Sequence, residues 1–307
     1  MKKIITFLII LFMLFPLFAQ TVYIGGSYLE NGQQKASYIT DGVMTKIDGV
    51  RIDAITVKNG IVYAAGIYRE VNNSRIYQYW IDGIPHELPF CTSVTAIYVD
   101  NGNVYVHGSE GNYDGSSYWI NGRRNFWPDN SHGGYMNVVN GTFYFTGLNP
   151  ATRQNPSGGL SYFVNGARTN LVNSSNFIAF GIEVVNSIIY VGAYNNQTRQ
   201  LGYWVNGRLN IINNAPNEIY YLFVSNSDVY ILSRGQHYWV NGNRHTYQTP
   251  GLSAHWFTVS NGKIYSIGHC HRHRQNQIPC YWVDDEHYEL NGFFEERFTP
   301  RAIFVMD

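Results

Sequence analysis

The sequence predicts an all-β fold, a seven-bladed β-propeller, and three observations support this prediction. Aromatic residues make up 16% of the 307 residues, with 25 Tyr and 30 Gly, a composition typical of strands joined by tight turns. An aliphatic–Tyr pair recurs along almost the whole chain. The C-terminal segment matches a strand that the first copy of this repeat lacks.

The recurring pair belongs to a repeat unit of about forty residues. The tyrosines of successive pairs lie 35 to 46 residues apart, and each pair is followed by a second aromatic element and, in most copies, an Asn-Gly or Asp-Gly turn. Such turns between alternating apolar runs predict hairpins, so that each copy holds four short strands. Four strands in such a repeat are typical of a propeller blade. The seven tyrosines are Tyr23, Tyr63, Tyr105, Tyr144, Tyr190, Tyr230 and Tyr265.

The two ends of the chain predict that the ring closes by strand pairing. The first copy begins at Val22, in the second strand of the unit, so its first strand is missing. Residues 302–307 align with residues 54–58, the first strand of the next copy. One blade is therefore expected to combine the C-terminal strand with three N-terminal strands, whereas an open solenoid would need capping repeats.

One phrase of the repeat is similar to a known family. Residues 261–268 read Asn-Gly-Lys-Ile-Tyr-Ser-Ile-Gly, which resembles the kelch repeat, and the resemblance extends over residues 21–307. The double glycine that follows the aliphatic–Tyr pair in kelch repeats is kept only in the first copy, at Gly25 and Gly26. The resemblance implies a propeller and no particular activity, because propellers of this kind serve many functions.

The first twenty residues are predicted to be a secretory signal peptide. Two lysines precede the apolar run 4–15, Pro16 interrupts it, and Ala19 offers a small residue for cleavage. The run is shorter than the ~20 apolar residues of a spanning helix, so a retained membrane anchor is the less favoured alternative. We therefore expect a secreted or periplasmic monomer in which residues 21–307 form one domain without a membrane span.

Charge and motifs narrow the function classes. The chain has 21 Lys plus Arg and 21 Asp plus Glu, so it has no basic surface of the kind that attracts nucleic acid. It contains no nucleophile elbow, no zinc-protease motif and no phosphate-binding glycine loop. The sequence therefore predicts no catalytic residue, no metal and no cofactor.

The connections between strands predict which face binds ligands. Because neighbouring strands alternate in direction, the tight turns share one face and the longer, variable loops share the other, where binding residues concentrate. Aromatic and arginine side chains on these loops suit a glycan, a peptide or a protein outside the cell or in its envelope. The candidate binding residues are Tyr68, Arg69, Tyr113, Trp127, His132, Tyr194, Arg199, Arg234, His255 and Trp256.

Two functions remain open at this point. The favoured one is a binding or interaction module without catalysis. The alternative is a glycan-acting hydrolase or lyase, which requires acidic or histidine side chains from several blades to converge at the mouth of the channel.

The cysteines predict a covalent link within one variable loop. Residues 269–273 read His-Cys-His-Arg-His, and Cys280 follows in the other arm of the loop. In an exported chain we expect a disulfide between Cys270 and Cys280, with Cys91 left as a single thiol. A metal site formed by the histidines and the two thiolates is the alternative.

Overall fold

A computed structural model describes most of the chain after the predicted signal peptide. The described residues are 20–72, 74–111, 116–127, 134–149, 159–174, 176–212, 220–233, 237–247, 253–273, 276–290 and 298–306. The predicted signal segment therefore lies outside them, apart from residue 20. In the described part of the chain, no helix is long and apolar enough to cross a membrane.

The described residues form seven sheets of four antiparallel strands, named A to D outward from the ring axis. For blades 1 to 7, the A strands are β28 (Thr299–Met306), β4 (Arg51–Lys58), β8 (Cys91–Asp100), β12 (Met136–Val139), β16 (Phe177–Val185), β20 (Tyr220–Ser225) and β24 (Ser253–Ser260). The B strands are β1 (Thr21–Glu30), β5 (Ile61–Val71), β9 (Asn103–Glu110), β13 (Thr142–Asn149), β17 (Ile188–Asn195), β21 (Asp228–Ser233) and β25 (Lys263–His273).

The outer half of each blade is a second hairpin. The C strands are β2 (Gln33–Thr40), β6 (Ser74–Ile81), β10 (Ser116–Ile120), β14 (Gly159–Val164), β18 (Gln200–Val205), β22 (His237–Val240) and β26 (Asn276–Val283). The D strands are β3 (Val43–Lys46), β7 (Ile84–Glu87), β11 (Arg123–Phe126), β15 (Ala167–Val172), β19 (Arg208–Ile212), β23 (Asn243–Thr246) and β27 (Glu286–Glu289).

The ring closes as the chain ends predicted. Each A strand contacts the A strands of the two neighbouring blades, including β24 with β28 and β28 with β4. In blade 1, β28 pairs with β1 from Thr21↔Met306 to Ser27↔Thr299. The first blade therefore joins the two ends of the chain, which confirms both the seven-bladed fold and its closure.

Large aromatic side chains on the C strands form the core between blades. Each is at most 2% exposed, and its burial contributes roughly 2–3 kcal/mol. The aromatic residues of the second repeat element are therefore packing residues. This set comprises Trp80, Trp119, Phe163, Trp204, Trp239 and Trp282.

The C–D turns have a second function besides reversing the chain. Their first residue has positive φ, as the Asn-Gly and Asp-Gly signals predicted. In six blades its side-chain Oδ1 also accepts a hydrogen bond of 2.9–3.0 Å from a B-strand backbone N–H. Each turn is thus tied to the neighbouring strand B. These residues are Asp82, Asn121, Asn165, Asn206, Asn241 and Asp284.

The B–C connections of blades 2 and 7 differ from the loops expected there. In blade 2 the ladder continues to Val71↔Ser74, and in blade 7 it continues to His273↔Asn276. In blade 1, β1 and β2 pair as far as Glu30↔Gln33. These segments remain hydrogen-bonded as strands, so extended hairpins rather than irregular loops project from that face.

The extended hairpin of blade 7 carries the predicted disulfide. Cys270 and Cys280 are bonded across β25 and β26, with a Cα–Cα distance of 5.8 Å. Cys91 is a buried free thiol. The bond uses both thiols that the alternative metal site would have needed. Within the described residues, no group of three or more His, Cys, Asp or Glu side chains is placed to hold a metal ion.

Candidate functional site

The face that carries the B–C and D–A connections, called the loop face below, contains a polar groove between blades 1 and 2. This blade 1–2 groove has a volume of about 650 Å³. Its walls come from the start of β2, the end of β5 and the D–A connection that joins the two blades. The lining residues are Gln33, Gln34, Lys35, Asp48, Gly49, Val50, Tyr68, Arg69 and Glu70.

Backbone hydrogen bonds to both blades hold the floor of the groove. The N–H of Ala36 in blade 1 donates to the carbonyl of Gly49 at 2.9 Å. The N–H of Val50 donates to the carbonyl of Ile67 in blade 2, also at 2.9 Å. The D–A connection is therefore fixed on two sides, so the groove is formed by a rigid part of the chain.

Gly49 allows this floor to lie directly on the core. Its φ of +148° is a backbone conformation that residues with a side chain rarely adopt. A Cβ at this position would also lie 2.7 Å from the buried Trp80 ring. The indole Nε1 of Trp80 also donates to the carbonyl of Asp48 at 2.8 Å. A packing residue of the repeat thus positions the groove.

A β-bulge presents the aromatic wall of the groove. Ile67 pairs with Tyr77 and Arg69 pairs with Ile76, which leaves Tyr68 as the extra residue of β5. Bulges of this kind change the direction of a side chain at functional edges of sheets. The Tyr68 hydroxyl donates to Asp48 Oδ2 at 3.1 Å, and the Arg69 guanidinium lies 5.2 Å from the Tyr68 ring centroid.

The opposite wall adds side chains that can donate and accept hydrogen bonds. Gln33 and Gln34 are exposed at the start of β2, directly after the turn at Asn31, and Lys35 is half-buried. Each Gln amide provides a carbonyl acceptor and two N–H donors. The groove therefore combines one oriented aromatic ring with several hydrogen-bonding groups of both kinds.

A second polar cluster, called the channel cluster below, lies among the A strands near the ring axis. Asn137 of blade 4 donates from Nδ2 to Glu183 of blade 5 at 2.8 Å. Burial raises the Glu183 pKa to about 7, an effect that the hydrogen bond from Asn137 opposes. Burial, and then the charge of Glu183, raise the pKa of Tyr98 in blade 3. Side chains from three blades therefore meet here.

Two of the predicted binding residues are buried in the packing between strands. Trp127 is 6% exposed and lies 4.4 Å from Phe145 between ring centroids. Tyr194 is 7% exposed and lies 5.6 Å from Tyr220. Both side chains pack against aromatic residues of the neighbouring blade, because the residue after β11 and the end of β17 lie next to that blade.

The other predicted residues lie in separate places. Tyr68 and Arg69 line the blade 1–2 groove. In blade 7, His255 lies 6.1 Å from His269 between ring centroids, and Trp256 is partly buried. Arg199 is exposed in the turn between β17 and β18, with a φ of 57°. Tyr113, His132 and Arg234 lie outside the described residues.

Sequence reasoning did not select Gln33, Gln34, Asp48 or the channel pair of Asn137 and Glu183. The glutamines directly follow an Asn-Gly hairpin, which is a usable signal for a projecting edge. Glu183 occupies an A-strand position at which the matching residue of blade 2 is Thr56. A charged residue that departs from the repeat would have been the signal for the channel cluster.

Comparisons with known proteins identify the fold. No family model and no curated protein matches the sequence. The β-propeller domain of the trilobed protease from Pyrococcus furiosus superimposes with a TM-score of 0.62 at 8% identity, over 91% of this chain and 94% of that one. The periplasmic gluconolactonase from Pseudomonas aeruginosa gives 0.56 at 8% identity, over 94% and 99%.

A peptidase from Mycobacterium tuberculosis that hydrolyses puromycin is similar over only part of its length. Its TM-score is 0.58 at 8% identity, and the match covers 85% of this chain but 50% of the peptidase. This chain thus spans half of that enzyme. At such identities the likeness concerns architecture alone. Together with the sheet topology, these structures identify the chain as a seven-bladed β-propeller.

Proposed function

We propose that this protein is an exported binding module that holds a glycan in the blade 1–2 groove. The observation that carries the proposal is Tyr68, which a bulge presents in the groove and Asp48 holds by its hydroxyl. A ring held in this way can stack on a sugar with little loss of side-chain entropy on binding. The neighbouring Gln33, Gln34 and Arg69 supply hydrogen bonds to hydroxyl groups.

The charges of the groove support a ligand that is mostly neutral. Lys35 and Arg69 bring two positive charges, and Asp48 and Glu70 bring two negative charges. Sugar hydroxyls both donate and accept hydrogen bonds, so they match a lining that mixes amides, cations and carboxylates. A strongly charged ligand would meet repulsion from half of these groups.

Two features support export. The predicted signal peptide precedes the propeller, and Cys270 and Cys280 form a disulfide. Disulfides persist in the periplasm and outside the cell, whereas cytosolic thiols are kept reduced.

The test is a screen of the purified mature chain on an array of neutral and acidic oligosaccharides, followed by calorimetry with a glycan that binds. Tyr68→Ala is expected to weaken binding by at least tenfold, because the stacking surface is lost. Tyr68→Phe should cost less, since it removes only the hydroxyl. Tyr288→Ala, at an exposed tyrosine on the D strand of blade 7, is the matched control.

Binding that Tyr68→Ala leaves unchanged would exclude the groove as the site. The absence of any bound glycan on the array would contradict the proposed ligand class. Thermal unfolding of each variant separates a lost contact from a lost fold.

Catalysis on a glycan is the second candidate, and the channel cluster favours it. A carboxyl group whose pKa is raised to about 7 can serve as a general acid near neutral pH. Glu183, Asn137 and Tyr98 come from three blades, as a site assembled across blades requires. The test is whether the wild type cleaves a glycan selected on the array and whether Glu183→Gln abolishes this cleavage. If both are observed, catalysis rather than binding alone becomes the proposed function.

A further inference from the structure

We infer that Arg51 and Arg301 form a carboxylate-binding site at the loop-face mouth of the central channel. Arg51 is the first residue of β4, and Arg301 is the third residue of β28. These two A strands are neighbours in the ring, and both start at the loop face. The two arginines are 250 positions apart in sequence (301 minus 51) and lie on neighbouring A strands only because the C-terminal strand enters blade 1.

A shared irregularity of the A strands changes the direction of the side chains at this level. In β28, Ala302 pairs with Gly25 and Pro300 pairs with Gly26, so Arg301 is an extra residue. In β4, Asp53 is the extra residue in the same way. Bulges bring an additional side chain to an edge that the regular alternation would turn away. Asp53 and Arg301 are therefore at matching positions of adjacent blades.

In the described part of the chain, the carboxylate of this cluster is Asp53, and Arg51 already binds it. Arg51 Nε donates to Asp53 Oδ1 at 2.7 Å, and Arg51 Nη2 donates to Asp53 Oδ2 at 3.2 Å. The two side chains are 20% and 14% exposed, so the pair is largely shielded from water. This two-point geometry is the strong form of an arginine–carboxylate pair.

Among the described residues, Arg301 has no comparable carboxylate partner. Its Nε is shielded from solvent and makes no hydrogen bond to the described residues. Burial, followed by the charge of Arg51, lowers the Arg301 pKa, and Asp53 opposes this effect. The residue as a whole is partly exposed, which leaves its guanidinium within reach of a ligand.

The charge balance of the cluster determines the class of ligand. Two guanidinium groups and one carboxylate leave one net positive charge in a partly shielded position. A monoanionic carboxylate neutralises this charge and matches the planar fork of a guanidinium. A doubly charged phosphate would leave an excess negative charge beside Asp53. The site therefore suits the carboxylate of an acidic sugar or of a peptide C-terminus.

The position of the cluster connects it with the blade 1–2 groove. Val50 lines the groove, and the chain continues directly into Arg51 and Asp53. If the proposed glycan function holds, the bound glycan is then expected to carry a uronic acid whose carboxylate reaches Arg301. This extension rests on the proposed function, whereas carboxylate binding itself does not.

Calorimetric titration with millimolar glucuronate tests the carboxylate site, with glucose as the neutral counterpart. N-acetyl-dialanine and its C-terminal amide form a second pair of probes that distinguishes a peptide terminus from an acidic sugar. We expect binding of at least one carboxylate and of neither neutral counterpart. Arg301→Gln should weaken that binding about tenfold or more, because a charge-assisted contact is lost. Arg301→Lys should give an intermediate loss.

Asp53→Asn separates a ligand site from a merely structural cluster. Removing the competing carboxylate raises the local charge, so carboxylate binding should become several-fold tighter although a buried ion pair is lost. Arg208→Gln, at an exposed arginine on β19, is the control and should change neither carboxylate binding nor the stability of the fold. If no glycan on the array binds but a carboxylate probe does, only the proposed function is contradicted. Equal binding of glucuronate to the wild type and to a folded Arg301→Gln variant would overturn the carboxylate site.

Discussion

At the scale of single residues, two titratable side chains stand out because their pKa values are shifted in opposite directions. Burial raises the Glu183 pKa from 4.5 to about 7. Burial lowers the His107 pKa from 6.5 to about 4, and the His107 ring packs 5.3 Å from Trp127. Both groups are therefore favoured in their neutral form in the folded chain.

These shifts have opposite effects on stability. Between pH 4.5 and 7 the folded chain holds a proton at Glu183 that the unfolded chain releases, so the free energy of unfolding falls as pH rises. Between pH 4 and 6.5 the unfolded chain binds a proton at His107 that the folded chain excludes, so the free energy of unfolding rises with pH. The two contributions offset one another where the ranges overlap.

Glu183→Gln is expected to reveal the His107 contribution. The free energy of unfolding of the variant should rise between pH 4.5 and 6.5 and exceed that of the wild type at pH 7.5, by on the order of 2 kcal/mol. Urea unfolding at a series of pH values measures this. Glu87→Gln, at an exposed position on β7, should leave the wild-type profile unchanged. Parallel profiles for wild type and Glu183→Gln would show that the carboxyl is solvated in the channel.

At the scale of elements, the tight turns differ in what their first residue contributes. Asn59 in an A–B turn and Asn206 in a C–D turn both have positive φ, at 53° and 47°. Of the two, only Asn206 also accepts a hydrogen bond with its side chain, from the backbone N–H of Ile189 to Oδ1 at 2.9 Å. The chain therefore provides its own matched pair for separating backbone preference from hydrogen bonding.

Asn59→Ala should cost about 1 kcal/mol of unfolding free energy, because alanine disfavours the left-handed conformation. Asn206→Ala should cost about 2 kcal/mol, since the hydrogen bond to strand B is lost as well. Asn206→Asp keeps both contributions and should be nearly neutral. Chemical denaturation of the three variants gives the comparison, and equal losses for the two alanine variants would show that the hydrogen bond adds nothing.

At the scale of the whole molecule, the ring depends on one non-covalent closure. Met306 pairs with Thr21 in blade 1 as Lys58 pairs with Ile61 in blade 2. In blade 2 the two residues Asn59 and Gly60 join these strands, whereas in blade 1 the paired residues Thr21 and Met306 are 285 positions apart in sequence (306 minus 21). Blade 1 therefore has the geometry of the other blades without their covalent link.

Removing residues 299–307 is expected to abolish cooperative unfolding, because β4 and β24 then lose the A strand between them. A circular permutant that begins at residue 298 and joins Met306 to Thr21 through Asn-Gly should keep the wild-type circular dichroism. It should also unfold at an equal or higher temperature, since closure becomes covalent. A truncated chain that unfolds like the wild type would show that pairing of β28 with β1 contributes little.

The candidate site was less predictable than the fold. Tyr68 and Arg69 were identified because they lie beyond the repeat on the loop face, and they line the groove. Trp127 had the same sequence signal but is buried, since neither its direction nor its neighbours follow from its position in a loop. Glu183 and Arg301 lie within strands, where a search confined to variable loops does not look.

The sequence by itself determined the blade repeat, the tight turns, the pairing of the chain ends and the disulfide. These features depend on periodic patterns or on chemistry that each segment carries locally. The tertiary structure alone decided which blades enclose the groove and which charges meet at the channel. The reason is that bulges at Asp53, Tyr68 and Arg301 change side-chain direction without a sequence signature. Contacts between residues 250 positions apart depend on the closed ring.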